Sequence, residues 1–332
     1  MRNVLIVSGI LFLAGPRAGG TAPARAASAA TPTGSVEVDM RNVDLHLTDD
    51  VTLHVHALRG RFVPTRPGAP PNLDLKESYV VEVDGGETAI DQAALNTLMN
   101  KYVFGDEKAP IKDLDIKVED GVVKEKGKLD KKIDIPFKVK GAVDVTPDGK
   151  LRIHAKSIKS LGLPIKPLMK LFGIEMDDMV KMPPGHGVTV DENDFIIDPQ
   201  EMMPPPRMRG HMTAVRIEGD EIVQTFGTAA PPPLAAGLSR NHIYWRRGTL
   251  RFGKLTMRDT DLELIDQDPS DPFDFSAPRY NDMLIAGYSK NTPRLGLKTY
   301  LPDYDDLKAG RRVAGTPGAA AKRARAVKAA AN

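Results

Sequence analysis

His46, His54 and His56 lie close together in the sequence, and the last two form a His-x-His pair. On a strand, that spacing puts both rings on one side, where two imidazoles could share a zinc ion. The sequence assures no further ligand, so solvent-exposed strand histidines are the expectation. The run DTDLELIDQDPSDPFDF brings Asp259, Asp261, Glu263, Asp266, Asp268, Asp271 and Asp274 together. Carboxylates at that density can hold calcium, but the EF-hand glycine and terminal glutamate are missing, and a solvated acidic loop is expected. The chain has no G-x-S-x-G, no G-x-x-x-x-G-K-[ST], no H-E-x-x-H and no helix-opening G-x-G-x-x-G. No catalytic residue, metal or cofactor is therefore expected. A metal-dependent hydrolase using the histidines or the acidic loop remains the enzymatic alternative.

The segments that would position these groups read mainly as strands. Val36, Val38 and Met40 alternate with polar residues, and Val43, Leu45 and Leu47 do so one residue out of phase. Val51, Leu53 and Val55 follow a corner at Thr48 to Asp50. If these three share a face with Leu47, Leu45 and Val43, then Asp44 falls opposite His54 and His46 opposite Thr52, all on the polar face. Four prolines between 64 and 72 mark a loop.

A second block opens with the short strand YVVEV and a helix, IDQAALNTLMNKYVFG, with Asp91 as N-cap. Leu95, Leu98, Met99 and Tyr102 form its apolar stripe. Asp120-Gly121 signals a hairpin. The run from Ile133 to Val145 places Ile135, Phe137, Val139, Gly141 and Val143 on one face and lysines and aspartates on the other. At ~3.3 Å per residue it reaches about 40 Å, so it belongs in a strongly curved sheet whose greasy face needs a cover. Gly141 suits a bend midway. The segment LGLPIKPLMKLFGIEMDDMV offers that cover as a second amphipathic helix, with Leu168, Phe172, Met176 and Met179 on its apolar side. Methionine accepts variable apolar partners, so this helix either completes a dry core or lines a groove.

Composition narrows the function classes. Lysines and arginines number 46 against 44 acids, a formal charge of +2, which argues against a nucleic-acid binder. Aromatic residues make up 5%, with Trp245 the sole tryptophan, and cysteine is absent. Disulfides and thiol catalysis are thereby excluded. Residues 1–30 have the order of a signal peptide: Arg2, an apolar run from Val4 to Ala14, then Ala24-Arg25-Ala26. An exported protein of the periplasm or cell envelope is expected. Residues 311–332 are basic and Ala-rich, a tail for anionic lipid head groups or for solubility alone.

From Tyr79 to Gly227 the order of elements, with the phrases AALNTLMNKY, LPIKPLMKLFG and DENDFIIDPQEMMPPPRMRGHMTAVRIEGDEIVQTF, resembles bacterial exported lipid-binding proteins of the LmeA-like type. These are related to the tubular lipid-binding (TULIP) superfamily. Residues 35–72 and 238–310 fall outside the resemblance. It implies an α+β fold, a long curved antiparallel sheet wrapped around two amphipathic helices. Here β-rich segments would flank that core on both sides: a hairpin and loop at 35–72 and an extension at 238–310. It also implies a groove holding lipid or another apolar ligand, with Leu95, Leu98, Met99, Phe137, Leu168, Phe172, Met176 and Met179 as ligand contacts. A structural or assembly protein of the envelope is the competing reading, distinguished by a dry interior.

Overall fold

The computed structural model describes residues 34–107, 109–130, 134–164, 187–191, 194–227 and 233–311. Strand makes up 56% of them and helix 13%, so the chain is mostly β rather than an even α+β mixture. The strands are β1 (Val36–Thr48), β2 (Val51–Pro64), β3 (Tyr79–Asp91), β4 (Ile111–Glu119), β5 (Val122–Asp130), β6 (Asp134–Val145) and β7 (Leu151–Ser160). Then come β8 (Leu163–Pro164), β9 (Val188–Asp191), β10 (Asp194–Ile197), β11 (Met208–Gly210), β12 (Met212–Glu218) and β13 (Glu221–Phe226). The remainder are β14 (His242–Arg246), β15 (Thr249–Phe252), β16 (Leu255–Arg258), β17 (Asp261–Asp266), β18 (Phe273–Ser276), β19 (Tyr288–Asn291) and β20 (Leu297–Leu301). The helices α1 (Gln92–Thr97), α2 (Pro199–Met202), α3 (Tyr280–Ala286) and α4 (Tyr304–Lys308) are short.

An 11-stranded sheet runs β12-β13-β3-β2-β1-β14-β17-β20-β19, with β11 beside β3 and β18 beside β1. Its centre is the long β1–β2 hairpin, and strands from both ends of the described chain extend it. Both hairpin strands change phase at one level. Val36, Val38 and Met40 face inward before Asn42, and Val43 and Leu47 after it. Asn42 sits at φ 51°, a left-handed conformation that asparagine tolerates well. At that point the outer neighbour of β1 switches from β14, last paired at Arg41, to β18, first paired at Val43. The phase change legible in the sequence is thus where one strand hands over to another.

The sequence places the end of β3 near Val83, but the strand continues through Gly85 and Gly86 to Asp91. Gly86 serves close approach rather than termination, as Gly60 does on β2. A Cβ on Gly86 would lie 2.3 Å from the Ala57 carbonyl oxygen, and one on Gly60 2.0 Å from that of Glu82. Register shifts flank both contacts, and such irregularities bend and twist a strand, curling this sheet.

The second sheet has seven strands, β4-β5-β6-β7-β10-β9, with β8 on β7. Along β6, Phe137, Val139 and Gly141 are buried while Lys138, Lys140 and Asp144 are exposed, the one-faced pattern read from the sequence. The register of β6 on β7 shifts at Gly141, where a Cβ would come within 2.7 Å of Ile153 Cγ2. Asp120 and Gly121, at φ 54° and 69°, turn β4 into β5. That positive-φ pair suits the right-handed twist of a two-residue hairpin.

The first expected amphipathic helix is shorter than its sequence pattern. Asp91 caps it, accepting a hydrogen bond from Ala94 N at 2.6 Å, but α1 gives way after Thr97 to a π-helical turn over Leu98–Val103. Its polar side explains its placement. Gln92, Asn96 and Asn100 recur every four residues and point at the free edge of β4. Asn96 donates to the Ile116 carbonyl (2.7 Å) and accepts from its N–H (2.8 Å). Asn100 treats Leu114 the same way (2.7 and 3.1 Å), and Gln92 accepts from Val118 N (3.0 Å). Three side-chain amides therefore stand in for a missing strand, satisfying an edge that would otherwise present unpaired backbone groups. The second expected helix, from Pro167 to Val180, lies outside the described residues.

Candidate functional site: an apolar cavity under the β1–β2 hairpin

The inward side chains of the hairpin do not all meet a packed neighbour. Met40, Leu45 and Leu47 from β1, with Leu53, Val55, Leu58 and Phe62 from β2, form the floor of a cavity. Tyr79 and Val81 extend it along β3, and Ile243 and Trp245 along β14. Leu73, Lys76, Pro206, Met208, Phe275, Ala277 and Tyr280 complete the lining. The cavity volume is about 50 Å³, several times what one water needs. Leu53 and Met208 also border a second space of about 20 Å³, with Val83, Met203 and Phe226 on its far side.

Polar groups around the first cavity are few. Lys76 is its one charged side chain; burial pulls the ammonium below the ordinary lysine range, and Nζ donates to the Leu47 carbonyl at 3.2 Å. Tyr79 stacks on Phe62 at 4.4 Å between centroids, and its burial raises the phenol pKa. Trp245 is 3% exposed, packs edge-on to Phe62 at 6.0 Å, and its indole N–H has no hydrogen-bond partner among the described residues. The Tyr280 hydroxyl donates to Asp74 and accepts from Gly253 N (3.1 Å). Among the described residues the lining is apolar apart from this lysine, the two tyrosine hydroxyls and the indole N–H.

The histidines take up different work. Asp44 does face His54 and His46 faces Thr52, as the hairpin pattern requires, although Thr48 pairs with Val51 through a register shift and the turn is tighter than expected. Each lies against a carboxylate rather than standing freely in solvent. His54 Nδ1 lies 2.6 Å from Asp44, His56 Nδ1 2.9 Å from Glu87, and His46 Nε2 2.5 Å from Asp274. Thr52 Oγ1, 3.1 Å from His46 Nδ1, completes a hydroxyl–imidazole–carboxylate line resembling a nucleophile, base and orienter. The imidazole is packed edge-on to Tyr304 at 5.3 Å, and neither His46 nor Thr52 lines the cavity described above.

The acidic run is not uniformly solvated. Asp266, Asp271 and Asp303 bring one carboxylate oxygen each within 4.8 Å of the others, and among the described residues this is the trio arranged to suit an ion. Asp266 is buried and accepts from Asn241 Nδ2 (2.9 Å) and Asp268 N (2.7 Å). Burial pushes its pKa up to about 6. Burial and the neighbouring Asp266 push Asp303 up to about 8. A shared proton relieves the crowding of charge as a cation would. The linear sequence hid this trio because Asp303 lies far beyond the acidic run.

Of the residues expected to contact ligand, Leu95, Leu98 and Met99 are buried in the common core beside α1, and Phe137 is buried against Gly127. None of the four lines this cavity. Leu168, Phe172, Met176 and Met179 lie outside the described residues. Met40, Leu45, Leu47, Leu53 and Val55 were legible as the inward phase of β1 and β2, but the rest of the lining comes from the far end of β2, from β3 and β14 and from loops, and which greasy face is left with space depends on the curl of the sheet. Comparison with known proteins finds no matching family model, no matching curated protein and no matching solved structure.

Proposed function

We propose that this chain binds or carries an apolar ligand, an acyl chain with an anionic head group, and performs no chemistry on it. The observation that carries the reading is the cavity itself: its lining holds one ionisable cation, Lys76, among aliphatic and aromatic side chains. Burial of hydrocarbon supplies the affinity, at about 25 cal/mol per Å², and Lys76 meets the head group. The cavity accommodates only a short stretch of chain as it stands. Met40 and Met208 are the adaptable parts of its wall, and rotation of Met208 would join it to the second space. The resemblance of residues 79–227 to LmeA-like lipid-binding proteins supports the same ligand class and a place in the cell envelope.

The test uses the sole tryptophan as reporter. Titrating the purified protein with a long-chain fatty acid should shift Trp245 emission saturably, and organic extraction of the protein should release lipid detectable by mass spectrometry. Absence of both would replace this reading with an assembly protein that has a dry interior.

A further inference from the structure

The outward face of the seven-stranded sheet carries an arrangement that a solubilising surface does not need. Lys124 lies directly across from both Lys117 and Lys140, Lys126 from Lys138, and Lys138 from Lys159. Opposed like charges on one face of an antiparallel pair are destabilising, because the side chains start only ~5 Å apart. The acids that pair with these lysines sit on one side. Asp113, Asp115, Glu119 and Asp120 all belong to β4 and its turn, and they pair with Lys128, Lys126 and Lys124 of β5. On the other side, Asp144 and Asp194 are taken up by Arg152 and His154, and exposed Asp134 pairs with none of the β6 or β7 lysines among the described residues. On β6 and β7, Lys138, Lys140, Lys156 and Lys159 are exposed and form no ion pair among the described residues. Neighbouring strands are ~4.8 Å apart and alternate residues ~7 Å apart. These four ammonium groups therefore spring from an area about as wide as the ~10 Å screening length and act as one patch.

We propose that this β6–β7 face is a docking surface for an anionic lipid bilayer. The chemistry favours a bilayer over nucleic acid. The face is a sheet surface, suited to another extended surface rather than to a groove. Its unpaired cations are all lysine, point charges on flexible stems that suit diffuse negative charge. Among the described residues of this face no aromatic ring or unpaired arginine is interleaved to stack bases; Arg152 is held by Asp144 in a two-pronged pair at 2.7 and 2.8 Å. The inference stands on the charge pattern and is independent of what the cavity holds.

Sedimentation with phosphatidylcholine vesicles containing phosphatidylglycerol, against phosphatidylcholine alone, tests it. The protein should bind the anionic vesicles, and less so as salt rises. The K138Q/K140Q/K156Q/K159Q variant should lose roughly fivefold per lysine, more than 100-fold in all. Its Tm should be no lower than the parent's, since opposed charges have been removed. A K254Q/R279Q/R294Q/K308Q variant, which removes four exposed cations elsewhere, should bind within a few-fold of the parent. Equal binding by the first variant, equal loss in the second, no preference of the parent for anionic vesicles, or tighter binding of single-stranded nucleic acid than of vesicles would each overturn the assignment.

Discussion

Asp44 and His54 face each other across the β1–β2 hairpin, with Oδ1 of the aspartate 2.6 Å from Nδ1 of the ring. Glu221 and Asp91 stand farther off, at 3.7 and 3.9 Å from Nε2. The hydrogen bond to Asp44 is the main reason the imidazole titrates above its ordinary 6.5, with burial opposing it. A histidine whose pKa is raised by folding holds a proton that the unfolded chain has released. Its stabilising contribution is complete below about 6.5 and fades as pH climbs through the folded-state value. Asp44→Asn should remove most of that pH dependence and cost up to about 1 kcal/mol at acidic pH, the pair being partly exposed. Urea midpoints of both proteins from about pH 5 to about pH 9 measure it. A parent profile flat through this window would show that the pair adds nothing.

Asn96 makes two hydrogen bonds to a single backbone residue, Ile116, in the middle of the amide row that finishes β4. Asn96→Ala would leave an N–H and a carbonyl of a half-buried strand edge without partners. The expected loss is about 2 kcal/mol. Replacing Thr97, which bonds only within its own helix, should cost much less. Chemical denaturation of the two variants separates edge capping from helix propensity.

This edge also shows what the sequence could and could not convey. The Leu95, Leu98, Met99 stripe and the Asp91 cap were legible because helix periodicity and capping are local properties. The Gln92, Asn96, Asn100 row has the same spacing, yet its meaning depends on β4 arriving alongside. The Asp44–His54 pairing followed from strand alternation alone and could be placed in advance, whereas the turn is tighter than expected and a register shift between His46 and Thr48 absorbs the difference. The role of His46 could not, because Asp274 reaches it through a parallel β1–β18 pairing that no local pattern encodes. The cavity is less local still. Inward residues are read from alternation, but empty space between two faces is a consequence of curvature. That curvature comes from close backbone contacts at Gly60 and Gly86, which resemble ordinary turn glycines when read along the chain.

Asp266 and Asp303 should make the protein less stable as pH rises, in a window lower than that of His54. Their folded-state values of about 6 and about 8 lie above the ordinary 3.8, so the native state keeps protons that the unfolded chain loses. Stability from these two carboxyls is greatest below about pH 4 and declines towards about pH 8. Asp303→Asn removes one titrating carboxyl and part of the repulsion on Asp266 and Asp271. Its stability profile should be flatter than the parent's over this range, with the variant gaining relative to the parent at neutral pH. Thermal melts across the range decide the matter: a variant that follows the parent's slope throughout would mean the carboxyls are ionised and solvated.

Ala277 and Met208 test the cavity from opposite directions. Ala277 lies on the lining, and Ala277→Leu adds hydrocarbon into a space of about 50 Å³. The added volume occupies room a ligand would need, so fatty-acid affinity should fall at least tenfold while Tm changes little or rises. Met208 borders both spaces, and Met208→Ala removes the wall between them. Met208 is only partly buried and borders two spaces, so that truncation should cost less than the roughly 2–5 kcal/mol of a fully packed methionine. It should also shift the preferred ligand towards longer chains. Lys76→Gln adds a chemical dimension: it should weaken binding of a fatty acid towards that of its uncharged methyl ester, without altering the ester's own affinity. Trp245 emission reads all three titrations. Simple core packing would predict destabilisation by Ala277→Leu and no distinction between acid and ester. A cavity built to hold an amphiphile predicts the reverse on both counts, because filling it removes no native contact and its one cation has a charge to meet.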